Sequence, residues 1–250
     1  MHVLLKKVPL FLVALFVTSA VCADSGLVES SCNAHVISLG PKCEVGVMRR
    51  VFKIDSPYYP FDFMTTTNFT VVCDIIEKRF AGFFDRNNLK FWRKRYINTK
   101  YNGLEFNHEF SDAHPFDSYY QHEFEKYQRR IDRFHEVLQS AKPVFFFRRS
   151  VEYKDALRFC NLIQKFSPQL NFLLIVINGG EKKKIKDYTL PLVRKFNVTP
   201  RRWPEWHTPE HLCEWHDVFL ALGLLPKEVS IERTAVMPLS EDIFWNLNHE

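Results

Sequence analysis

The sequence predicts an α/β fold: a single domain with a largely parallel sheet flanked by helices. Three observations carry this. "PVFFFRR" (143–149) and "NFLLIVIN" (171–178) are short runs with continuous apolar centres, of the kind buried on both faces of a parallel sheet. Between them "VEYKDALRFCNLIQKF" has apolar residues at helical spacing, which makes a strand–helix–strand unit with parallel strands and a right-handed crossover. A third strand, "AHVISLG" (34–40), is β-branched and apolar, and a Gly-Pro-Lys-Cys turn leads from it into an amphipathic "EVGVMRRVF".

The remaining elements follow in order. "DSPYYPFDFMTTTNFT" reads as a loop with two prolines, and "TVVCDIIEKRFAGFF" as a helix with Thr70 as its cap. "GLEFNHEF" alternates like a strand, and "DSYYQHEFEKYQRRIDRFHEVLQSA" is the longest helix, stopped before Lys142-Pro143. Residues 181–250 read as helical with irregular joins, "TPEHLCEWHDVFLALGLL" having a Thr-Pro start and Gly223 near its end. No linker or repeat divides the chain, so one domain is expected from 24 to 250.

Composition is that of a globular protein, 46% hydrophobic and 25% charged, and 24 Phe against 8 Gly predict an aromatic interior. Lys6 and Lys7 before "VPLFLVALFVTSAV", with Val21 and Ala23 ahead of a cut, read as a signal peptide over residues 1–23. The expected location is therefore secreted, or lumenal or periplasmic, with no stable membrane insertion after cleavage. Cleavage leaves 32 basic against 29 acidic residues, a net +3, and "EKKKIK" (181–186) reads as a solvated face, so nucleic acid is not an expected partner. It also leaves five cysteines, Cys32, Cys43, Cys73, Cys160 and Cys213, an odd number. With Cys43 free, the other four have three possible pairings into two disulfides. The sequons at Asn68 and Asn197 matter only in a eukaryotic secretory pathway.

The chemistry points to Cys43. A thiol at a helix N-terminus meets the positive end of the macrodipole, which favours the thiolate; the plainer role is a small hydrophobe in a turn. A thiolate mechanism needs a base, and "FNHEFSDAHPFDSYYQHEF" supplies His108, His114 and His122 among Asp112 and Asp117. His108, at a strand end, is the best placed. Asp62, in "YPFDF", is either a buried hydrogen-bonding strut or the acid that orients an imidazole. His207, His211, Cys213 and His216 crowd together in "RRWPEWHTPEHLCEWH", but Thr208 stands where a zinc peptidase carries its glutamate, and Pro209 starts the helix after His207. A Trp-rich cap through Trp203, Trp206 and Trp215 is expected there rather than a metal, and no cofactor is expected. There is no Gly-rich phosphate loop and no Gly-x-Ser-x-Gly elbow.

Together, "ISLGPKC" (37–43), "YPFDF" (59–63), "FNHEF" (106–110) and "YQRRIDRFHEVLQSAKPVFFFRR" (127–149) resemble, in the same order, a domain-of-unknown-function family named for papain-like cysteine peptidases. The resemblance spans about residues 35–178, and its one noted departure is Phe63 where the family commonly has Trp. It implies a cysteine peptidase, or a related thiol hydrolase or acyltransferase, with Cys43 as nucleophile, His108 as base and Asp62 as a further acid. A peptide or other acyl group would be the substrate, and the family name implies papain-like α+β as the alternative fold. From another class, a carbohydrate-active, glycosyltransferase-like or glycan-binding protein would use the loop end of the sheet and leave Cys43 structural.

Overall fold

In order along the chain run β1 (His35–Ser38), α1 (Glu44–Val51), β2 (Met64–Thr66), α2 (Phe69–Glu77), β3 (Leu89–Trp92), β4 (Arg95–Asn98), β5 (Leu104–Phe106), α3 (Phe116–Val137), β6 (Val144–Arg149), α4 (Tyr153–Phe166), β7 (Phe172–Asn178), β8 (Val193–Asn197) and α5 (Pro209–Ala221). The computed structural model describes residues 33–111, 114–179, 188–202 and 204–226. The expected signal peptide, Cys32, Asp112, "EKKKIK" and Trp203 lie outside the described residues.

Four strands make a parallel sheet in the order β1-β6-β7-β8. The α/β class expected from "PVFFFRR" and "NFLLIVIN" is therefore the observed one, with α4 as the crossover between β6 and β7. Alternate residues of β6 feed two apolar layers: Val144 and Phe146 face α2, α3 and α4, while Phe145 and Phe147 face α1 and α5. Burial on both sides is why the strand reads as an unbroken apolar run, and each buried Phe contributes about 1.5–3 kcal/mol. The first layer is the aromatic interior that the Phe count predicts, with Phe61, Phe80, Phe83 and Phe106 in edge-on contact.

A second, antiparallel sheet, β2-β5-β4-β3, fills the crossover from β1 to β6. It departs from the sequence reading, which has a loop over β2 and no β3–β4 hairpin. β8, in a stretch expected to be helical, is a strand with no fully buried residue, Arg194 and Asn197 being exposed, and its Arg194 and Lys195 hide the pattern. The cap of α2 is also corrected: Asn68 accepts from the Thr70 N–H at 2.9 Å, so Thr70 is the donor and not the cap.

Helix α3 buries a polar stripe at helical spacing, the charged Glu123, Lys126 and Arg130 together with Tyr127. The Tyr127 hydroxyl donates to Glu109 Oε1 at 2.5 Å, Lys126 pairs with Glu123, and the Arg130 guanidinium lies 5.5 Å from the Phe63 ring centroid. Burial pushes the Glu123 carboxyl up to about 7, against the pull of Lys126. The folded state thus holds that proton more tightly than an unfolded glutamate, and the stabilisation is lost as pH rises from about 4.5 through about 7. Between about pH 5 and pH 8, wild-type stability from urea midpoints should fall by up to about 3 kcal/mol relative to Glu123→Gln. Parallel curves for the two proteins would remove Glu123 as the titrating group.

Candidate active site

Cys43 stands at the N-cap of α1, on the turn that leaves the carboxyl end of β1. Ligands of open parallel sheets bind in the crevice outside these strand ends. The turn begins with a cis Gly40-Pro41 bond, and Gly40 sits at φ +79°. A β-carbon there would lie 2.1 Å from Thr66 Oγ1 and 2.8 Å from an Arg148 guanidinium nitrogen, so glycine is required on steric as well as conformational grounds.

Two consecutive arginines end β6 and clamp this turn from opposite sides. Arg148 donates to the Leu39 carbonyl at 2.5 Å, to the Thr66 carbonyl at 2.9 Å and to Thr66 Oγ1. Its burial lowers the guanidinium pKa to about 10. Arg149 points the other way, donating to Glu44 Oε1 at 2.8 Å and to the Val198 carbonyl at 2.9 Å. Glu44, the first residue of α1, also accepts from Trp215 Nε1 at 3.1 Å and lies 3.1 Å from His211 Nε2. Burial acts to raise its carboxyl, but the bond to His211 and the charge of Arg149 outweigh that and hold it below the usual value. This buried cluster ties α1, β6 and α5 together beside Cys43, and the carboxylate also meets the positive end of the α1 dipole.

The Cys43 thiol is half-exposed as a residue and packs against the layer that contains Val36, Trp206 and Trp215. Burial pushes it up to about 11; its own N–H and Lys42 oppose the shift and the neighbouring Glu44 carboxylate adds to it. The helix dipole alone favours thiolate. In the folded chain desolvation wins, and the resting group is a thiol.

His108 lies two residues beyond β5, half-buried, its backbone N–H donating to Glu109 Oε2 at 2.9 Å. Its segment and the Cys43 turn adjoin opposite ends of β2: the Thr66 N–H donates to the Pro41 carbonyl at one end of that strand, and Met64 pairs with Phe106 at the other. Both segments therefore adjoin one three-residue strand, but among the described residues no imidazole hydrogen-bonds the Cys43 thiol. His114 belongs to a tight turn with Ser111, and His122 is exposed on α3. Asp62 is fully buried; it accepts from the Ser38 N–H at 3.2 Å and the Tyr59 N–H at 2.8 Å and lies 3.5 Å from Arg49. These contacts are those of a strut holding β1 to the 59–62 turn, and no imidazole is among them.

In the Trp-rich segment, His211 is fully buried and Cys213 exposed, so the two face opposite ways from α5. Among the described residues no three His, Cys, Asp or Glu side chains gather as a metal site. Among the described residues Cys43, Cys73, Cys160 and Cys213 are all free, so none of the possible pairings joins two of them. Sequence reasoning missed Glu44, Arg148 and Arg149, and weighed His211 only as a metal ligand. The available signal was two charges closing an otherwise apolar strand, "VFFFRR".

The sequence model of the family described as "Putative papain-like cysteine peptidase (DUF1796)" matches residues 34–180. Among curated proteins the chain is similar to "Uncharacterized protein R408" of Acanthamoeba polyphaga mimivirus, 28% identical over 135 residues. That match covers 45% of this chain and 60% of the length of the viral protein. No solved structure matches. The family match takes in Cys43, Asp62, His108 and both β6 arginines and ends before α5, so His211 and Trp215 reach the site from outside it.

Proposed function

This chain belongs to the family described as "Putative papain-like cysteine peptidase (DUF1796)", matched over residues 34–180, and on that premise we propose that it is an exported thiol hydrolase or acyltransferase acting on a peptide or another acyl donor. The observation that supports it is the position of Cys43, at the start of α1 and outside the carboxyl ends of the parallel strands, on a turn clamped by Arg148 and Arg149. Cys43 is the nucleophile and His108 its base: the imidazole takes the thiol proton, sulfur bonds to the acyl carbon, and the leaving amine or alcohol departs with that proton. Water, or an acceptor nucleophile, then releases the acyl group from the thioester. The first-turn N–H groups of α1, which a helix leaves without intrahelical acceptors, are suited to the developing oxyanion. Asp62 acts by bracing β1 and its turn. Catalytic hydrogen bonds often tighten only in the substrate complex, so the resting Cys43 needs no imidazole partner.

A second reading, a carbohydrate-active or glycan-binding protein with a structural Cys43, has one observation in its favour: a thiol at about 11 is protonated at neutral pH. Alkylation separates the two, run in Cys213→Ser because Cys213 is exposed. Iodoacetamide should modify Cys43 at a rate that keeps climbing toward pH 11. Peptidyl chloromethyl ketones should modify it near neutral pH, and only while His108 is present. If both reagents follow the same alkaline profile and His108→Ala changes neither, Cys43 is structural and the second reading stands.

A further inference from the structure

The β3–β4 hairpin carries an unused surface. Phe91 is 60% exposed, the most exposed large apolar side chain among the described residues, and Trp92 is 49% exposed, level with Tyr153. They precede a two-residue turn in which Arg93 (φ 47°) and Lys94 (φ 65°) both adopt left-handed backbone. From 86 to 104 the sequence has six cations, Arg86, Lys90, Arg93, Lys94, Arg95 and Lys100, and no acid. These six exceed the net charge of the whole chain, +5, which leaves the remainder at −1. Two of the six are engaged by acids, Arg86 by Asp117 and Arg95 by Glu105, both at 2.5 Å. At the tip, the Arg93 guanidinium instead lies 5.4 Å from the Trp92 ring centroid.

The base of the hairpin is firm. Phe91 contacts Tyr96 at 5.4 Å, and Tyr96 stacks on Phe116 at 4.6 Å, a file of rings that runs back to the start of α3. β3 is also the open edge of its sheet. The result is a rooted projection with aromatics at its end and cations around them.

We infer that this tip docks the protein on the surface of an anionic phospholipid bilayer, with Phe91 and Trp92 entering the headgroup–acyl boundary and Lys90, Arg93 and Lys94 meeting lipid phosphates and carboxylates. Indole and phenyl rings settle at that boundary, long basic side chains reach outward from it, and each cation adds to attraction by an anionic leaflet. Single-stranded nucleic acid uses the same residue types, but a stacking platform needs its aromatics on one face. Phe91 and Trp92 are adjacent in a strand and point to opposite faces, so both can be immersed while neither continues a stack with the other.

The test is co-sedimentation of the full chain with vesicles of phosphatidylcholine alone or with about one-third phosphatidylserine. Wild type is compared with Phe91→Ser/Trp92→Ser and Arg93→Glu/Lys94→Glu. Equal thermal midpoints check that these exposed-tip variants keep the fold. Wild type should prefer the phosphatidylserine vesicles, and each double variant should bind them at least about tenfold more weakly. Binding by either double variant equal to wild type would place the membrane contact elsewhere, in residues 1–23 for example, and overturn the inference. So would tighter binding to a single-stranded oligonucleotide than to the vesicles.

Discussion

Cys43→Ala should abolish acyl turnover, by at least about 10³-fold in kcat/KM, with the thermal midpoint little changed. The loss would be chemical, since the residue is only partly buried and, among the described residues, its thiol makes no hydrogen bond to another residue. Cys43→Ser should be almost as inactive, because a hydroxyl at this position has the same burial and a far higher pKa to overcome. Retention of turnover by the alanine variant would exclude thiol catalysis.

Glu44→Ala should cost about 3–5 kcal/mol, which for a chain of this length is a midpoint shift of about 6–20 °C. The carboxylate gathers Arg149, Trp215 Nε1 and His211 in a site where the Arg149 side chain is only 13% exposed. Removing it leaves a largely buried guanidinium without its counter-charge and the Trp215 indole N–H with only His211 Nε2, at 3.2 Å, to accept from it. A double-mutant cycle with Arg149→Ala isolates the pair: the double variant should lose much less than the sum of the singles. Additive losses would show that Glu44 and Arg149 act independently. Since the cluster fixes the first turn of α1, thermal midpoints by calorimetry and alkylation of Cys43 should change together.

The parallel sheet was legible because its strands are buried on both faces and bounded by Gly and Pro, as "FLLIVIN" before Gly179 illustrates. The hairpin was not, because Phe91 and Trp92 break the alternation that marks a half-buried strand and Arg93-Lys94 forms its left-handed turn without Gly or Asn. β8 was hidden for a related reason, an edge strand needing little apolar sequence. At the site, the turn at Gly40–Cys43 and the start of α1 were readable from local pattern. The Glu44 cluster was not: its bonds join residues 105 and 171 positions apart, and no local rule connects them. The thiol pKa failed for the same reason. A dipole is a property of the helix, whereas the desolvation that overrides it comes from β1, β6 and α5 packed around the turn.

The direct test of Cys43 as an acyl acceptor is mass spectrometry of Cys213→Ser quenched in acid during turnover of p-nitrophenyl acetate. The account predicts a burst of nitrophenolate and an acetyl group on the peptide carrying Cys43, removed by neutral hydroxylamine as a thioester is, and lost in His108→Ala. Turnover with that peptide unmodified, or acetylation of Cys43 that His108→Ala leaves unchanged, would contradict it.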